Sequence, residues 1–124
     1  LKEGNGKLTT QSKVLDNTQY SFKTRFENGI GTNPEELVAA AHSGCFTMQL
    51  AAHLSEDNFE IEQLETQCEI NLVDLVIVGS HLIVQAKIKE ISNEKFQEIV
   101  KKAEKNCLIS KLFNTEITAE ASLL

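Results

Sequence analysis

Two thiols far apart in the chain, Cys45 and Cys107, are the residues best suited to do chemistry. Cys45 lies inside an apolar helical pattern, Asn33-Pro34-Glu35-Glu36-Leu37-Val38-Ala39-Ala40-Ala41-His42-Ser43-Gly44-Cys45-Phe46. Cys107 follows Asn106 at the end of a second helical pattern. Peroxides and disulfides are attacked by thiolate, not thiol, so a reacting Cys45 needs a lowered pKa. The positive end of a helix dipole helps only within the first turn, and Cys45 lies about three turns in. A cationic partner is therefore expected to hold the thiolate. The competing reading is a buried and inert cysteine, the common fate on an apolar helix.

Arg25 is the candidate cation. It is the single arginine, and the other eleven basic residues are lysines. A planar guanidinium can serve a thiolate and a carboxylate together; the plainer reading is a surface pair with Glu27. Glu35 is the natural carboxylate to orient Arg25, though it also suits the helix start on charge grounds alone. Ten helical residues separate Glu35 from Cys45, about 15 Å of rise. If both serve one site, Glu35 is expected from a second subunit. Cys107 is the candidate resolving thiol, because a sulfenic acid on Cys45 condenses with a nearby thiol. Its alternative is a small core residue at a helix end.

Cys68 falls on the inward face of a strand and reads as core. His42 lies three residues before Cys45, so His42, Cys45 and Cys107 form a possible metal set, although a zinc site usually has tighter ligand pairs. His53 and His81 carry no motif. No glycine-rich phosphate loop and no serine triad is found.

The chain has 124 residues, 41% of them apolar and 24% charged, which fits one soluble α+β domain over residues 1–124. The net charge of −6 and scattered lysines argue against nucleic acid as a partner. The stretch from Leu37 to Leu54 is interrupted by His42, Ser43, Gln49 and His53, so no membrane span or membrane partner is expected. The chain starts at Leu1, and the expectation is a trimmed N-terminus with no signal peptide. Three cysteines suggest a reducing, cytoplasmic compartment, where a disulfide is transient and catalytic.

The elements follow from pattern. Lys7–Thr10 and Tyr20–Thr24 read as strands around a turn at Asp16-Asn17, and Glu27–Thr32 as a loop. Asn33 is an N-cap, Pro34 suits the first helical position, and Glu36 stands where a capping-box acid belongs. This helix is expected to reach about Leu54 and to be buried, being apolar nearly all round. Ala39, Ala40, Ala41 and Gly44 leave room for another backbone. Phe59–Val73 reads as a strand pair or one long strand. Leu75–Val78 and Leu82–Ile88 read as a hairpin turning at Gly79-Ser80. A helix over Asn93–Lys105 buries Phe96, Ile99, Val100 and Ala103. A short helical piece over Leu108–Phe113 and a strand over Thr115–Leu123 complete an α+β order with mostly antiparallel sheet.

These residues, as spaced, resemble the osmotically inducible protein C family, the OsmC/Ohr organic hydroperoxide reductases. The resemblance runs from Gly6 to the C-terminus. It is carried by Phe22-Lys23-Thr24-Arg25-Phe26-Glu27, Gly31-Thr32-Asn33-Pro34-Glu35-Glu36-Leu37, Ala40-Ala41-His42 with Cys45-Phe46, Asn106-Cys107, Ser110-Lys111 and Thr115-Glu116-Ile117-Thr118. The first piece looks like the OsmC branch. The resemblance implies an intertwined homodimer, with two long central helices wrapped by sheets and two sites at the interface. It implies Cys45 as peroxidatic thiol, Cys107 as resolving thiol, and Arg25 and Glu35 as the activating pair. It implies organic hydroperoxides as substrates, stress defence as the role, no cofactor or metal, and an external dithiol such as dihydrolipoyl groups as reductant. Phe46 is expected among the apolar walls that favour alkyl peroxides. The chain departs from the family at Leu108, where proline is frequent, at Ser43-Gly44, and in lacking a leading N-terminal strand. The rival expectation is a redox-inert dimer of the same fold serving as a binding or structural module.

Overall fold

The computed structural model describes residues 4–25 and 29–124, in two compact units, Leu1–Val38 and Ala39–Leu124. Phe26, Glu27 and Asn28, which belong to the first motif and the loop after it, lie outside the described residues.

In the first unit, β1 (Asn5–Leu8) pairs antiparallel with β2 (Thr18–Ser21). The second strand is shorter than its β-forming residues predict. Lys23–Arg25 coils into a 3-10 turn, because the Thr24 hydroxyl donates to the carbonyls of Ser21 and Thr32 and draws the chain inward. Thr32 then bridges to Tyr20 alongside β2. Gly31 precedes it with φ +103°, and a Cβ there would collide with the Gln19 carbonyl, so only glycine fits.

Helix α1 (Pro34–Glu56) starts where its capping residues predict. Asn33 Oδ1 accepts the Glu36 amide at 2.9 Å, satisfying one of the free donors of the first turn. The Glu36 carboxylate accepts from the Thr32 hydroxyl, a variant of the expected capping box.

In the second unit, β3 (Ile61–Val73) and β4 (Val76–Ile88) form a long antiparallel hairpin. Its turn is at Asp74-Leu75, not at Gly79-Ser80 as the sequence suggested. Both turn residues have positive φ, 50° and 61°, which makes the tight two-residue turn that matches strand twist. Gly79 and Ser80 lie inside β4, with Gly79 paired to Asn71 and Glu116.

Helix α2 (Asn93–Asn106) is capped by Ser92, whose hydroxyl accepts the Lys95 amide. The short α3 (Leu108–Leu112) follows directly, then β5 (Glu116–Leu123). β5 lies parallel to β4, the one parallel pairing among the named strands. Two antiparallel neighbours can share a tight turn, but parallel ones need a crossover, and α2 with α3 supplies it. Phe46, Leu50 and Leu54 of α1, Leu82, Val84 and Ala86 of β4, and Phe96, Ile99, Val100 and Ala103 of α2 make one core with Cys107. The α1 helix is not buried all round in the single chain: Ala40, Ala41, Gly44 and Met48 are exposed.

Candidate functional site

Cys107 is the joint between two helices. Its amide closes α2 on the Ala103 carbonyl at 2.8 Å, and its carbonyl accepts the Lys111 amide of α3. The side chain makes no capping bond and is fully buried. The first amides of any helix have no acceptor within it. In α3 those amides belong to Leu108 and Ile109, and both act on the Cys45 thiol in the direction that favours thiolate.

Burial alone would push the Cys45 thiol up. The Ile109 amide, the Cys107 thiol and the Leu108 amide together outweigh it and bring its pKa below the ordinary cysteine value. Hydrogen bonds that favour the charged form act in this direction. The donors that favour the thiolate come from the start of α3 rather than from the helix that carries Cys45. The clue in the sequence was a helical piece beginning just after the second cysteine. Its contact with Cys45 is tertiary and leaves no local mark. The structure thus brings Cys45 and Cys107 together as free thiols.

Cys45 opens onto a groove of about 600 Å³. Ala40, Ala41, Gly44 and Met48 form one side, and Leu108 and Ile109 the other. Among the described residues, Gln49 is the only lining side chain with a polar end apart from the thiol. An apolar cleft of this size with one reactive group suits a small apolar ligand. Phe46, expected in this wall, is fully buried in the core instead; one helical position, about 100° of rotation, turns it off the groove.

The other thiol, Cys68, packs against the core with its sulfur 3.2 Å from the Ser80 hydroxyl. Burial raises its pKa, so it stays a thiol, as its strand position suggested. His42 is fully buried, with Nδ1 2.6 Å from Ser80 Oγ and Nε2 2.7 Å from Ser110 Oγ. Both ring nitrogens are engaged by hydroxyls, which removes the geometric basis for a site shared by His42, Cys45 and Cys107. Burial lowers the pKa of His42 and keeps the ring neutral.

His53, which carried no motif, is also buried. Its Nε2 accepts from the amides of Gln49 and Asn106, at 3.0 and 3.1 Å, and its Nδ1 faces Glu56. It therefore ties the residue preceding Cys107 to α1.

In the first unit, Arg25 Nε donates to Glu35 Oε2 at 2.9 Å, and the guanidinium lies 5.7 Å from the Phe22 ring centre. Both side chains are mostly buried, 25% and 17% exposed, so this is a structured pair rather than a solvated one. The expected partnership of Arg25 with Glu35 exists within one chain.

The long hairpin, the parallel return strand and the helices packed on them define an α+β protein. The family model described as OsmC-like protein matches residues 26–122. The chain is 37% identical over 127 residues to peroxiredoxin OsmC of Escherichia coli, covering 99% of this chain and 89% of that protein. It is 30% identical over 121 residues to the organic hydroperoxide resistance protein OhrB of Bacillus subtilis, covering 95% and 88%. The crystal structure of that OhrB superposes with a TM-score of 0.70, at 29% identity, over 96% of this chain and 90% of its own. The chain belongs to the OsmC-like family.

Proposed function

We propose that the protein is a two-cysteine thiol peroxidase acting on organic hydroperoxides. The observation that carries this reading is the sulfur of Cys45, held by the Ile109 and Leu108 amides and facing the Cys107 thiol. The names of its relatives, a peroxiredoxin and an organic hydroperoxide resistance protein, support the same chemistry.

The Cys45 thiolate attacks the distal peroxide oxygen. The O–O bond breaks, the alkoxide takes a proton and leaves as alcohol, and Cys45 becomes a sulfenic acid. The Cys107 sulfur then attacks the Cys45 sulfur, water leaves, and a disulfide closes. An external dithiol, by our reading a dihydrolipoyl group, reduces it by exchange. No cofactor takes part in these steps. The apolar groove favours an alkyl group over the bare hydrogen of hydrogen peroxide.

Arg25 and Glu35 complete the site as a pair. They are joined within one chain, and ten helical positions, about 15 Å of rise, separate Glu35 from Cys45. We place the pair that serves each Cys45 on a second subunit. Two exposed apolar surfaces support a homodimer: the Ala40, Ala41, Gly44 and Met48 face of α1, and the hairpin tip with Val73, Leu75 and Val76.

The test is substitution with trapping. Cys45→Ser abolishes consumption of cumene hydroperoxide, whereas Cys107→Ser leaves one turnover and a dimedone-reactive Cys45. Full turnover in Cys45→Ser would refute the mechanism.

A further inference from the structure

We propose that His42 and Ser110 form a positioning strut that sets the angle of α3, and through it the hydrogen bonds and the second thiol presented to Cys45. The proposal rests on Cys45 being the reacting thiol.

The geometry is paired. His42 precedes Cys45 by three residues on α1, and Ser110 follows Cys107 by three residues on α3. Each lies about one helical turn from its cysteine. The 2.7 Å contact between them thus links the two thiol-bearing segments one turn away from the sulfurs. Phe113, at the other end of α3, sets its ring edge-on to the same imidazole, with centroids 4.8 Å apart and planes at 72°. The tail of α3 is seated on His42 through both residues.

A helix of five residues does not hold its own orientation. Ile109 packs against the core and keeps α3 down on it. Apolar contact is non-directional, however, and does not set the roll of a short helix. The hydrogen bond to a fully buried imidazole does. The imidazole is itself fixed from behind, since Nδ1 meets the buried Ser80 hydroxyl at 2.6 Å. A neutral ring donates from one nitrogen and accepts at the other, and a serine hydroxyl serves either role. The Ser80–His42–Ser110 chain is satisfied in both tautomers. Rolling α3 would turn the Leu108 and Ile109 amides, and the Cys107 thiol with them, away from the Cys45 sulfur.

Ser110→Ala is the informative substitution, because it deletes one part-exposed hydroxyl, whereas replacing buried His42 threatens the fold. The readout is the pH dependence of Cys45 alkylation by iodoacetamide in the full chain, with the modified residue identified by peptide mass. We expect the midpoint to rise by about half to one pH unit, roughly a three- to ten-fold loss of thiolate at fixed pH. Ser110→Thr, which keeps a hydroxyl, restores the parental midpoint. An unchanged midpoint in Ser110→Ala, or a shift that Ser110→Thr does not reverse, overturns the proposal. Alkylation needs no turnover, so this result stands apart from whether the protein reduces peroxides.

Discussion

The Ile109 amide lowers the pKa of Cys45 from a helix that begins one residue after Cys107. One short segment therefore delivers both the stabilising donors and the second thiol. Under the proposed cycle, any change that moves α3 changes thiolate formation and disulfide closure together.

Leu108 offers the cleanest test of the donors. Its amide is one of the two that favour the Cys45 thiolate, and proline has no amide hydrogen. Proline is tolerated at the first position of a helix, so Leu108→Pro should fold. We expect its Cys45 alkylation midpoint to rise, and its first-turnover reaction with cumene hydroperoxide to slow by up to roughly ten-fold, within what one hydrogen bond to a charged group supplies. Parental values for both would remove the amides from the account.

Arg25→Lys tests the cationic pair. The ammonium keeps the charge but loses the planar fork, which holds Glu35 and which we propose also serves the Cys45 thiolate. Stopped-flow rates with cumene hydroperoxide should fall at least several-fold, while the urea midpoint changes little. Unchanged rates would leave Arg25 as a structural partner of Glu35 alone.

Met48 tests the groove. It is 76% exposed and lines the cleft beside Cys45. Met48→Ser should lower kcat/KM for cumene hydroperoxide by roughly ten-fold, in line with losing apolar contact in a pocket. The value for hydrogen peroxide, which has no alkyl group to bind, should stay nearly the same. An equal loss for both peroxides would show that Met48 does not contact the alkyl group.

Glu104 gives a pH test of the fold. Burial raises its carboxyl pKa in the folded protein. The folded state then holds the proton more tightly than the unfolded chain does. The stability linked to it is full below the unfolded carboxyl value, about 4.3, and is lost as pH rises through the folded value. Glu104→Gln cannot ionise, so it should unfold at higher urea than the parent at pH 7 and at about the same urea near pH 3.5. A lower midpoint at pH 7 would contradict this.

Parts of this fold are legible in the sequence because their causes are local. Asn33 and Pro34 start α1 through a cap that lies within four residues of its donor. The Phe96, Ile99, Val100 and Ala103 stripe of α2 is a periodicity, and all four are buried. Gly79-Ser80 has the composition of a turn but lies inside β4, whereas Asp74 and Leu75 make the turn at positive φ without a glycine. The parallel pairing of β5 depends on a crossover that no local pattern states.

The same division holds at the site. Cys45, Cys107, Arg25 and Glu35 stand out by residue type, and the Arg25–Glu35 bond follows from complementary charge. The contacts of Ile109 with Cys45 and of His42 with Ser110 join residues more than sixty positions apart. Ser110 and His53 carry no signal of their own, and their importance appears only when α3 and Asn106 are seen against α1.

The most direct test of the two-cysteine cycle is a thiol count with intact mass, before and after one equivalent of cumene hydroperoxide. The account predicts a loss of about two mass units, one free thiol remaining at Cys68, and a Cys45–Cys107 disulfide in the peptide map. Three unreacted thiols and an unchanged mass would contradict it.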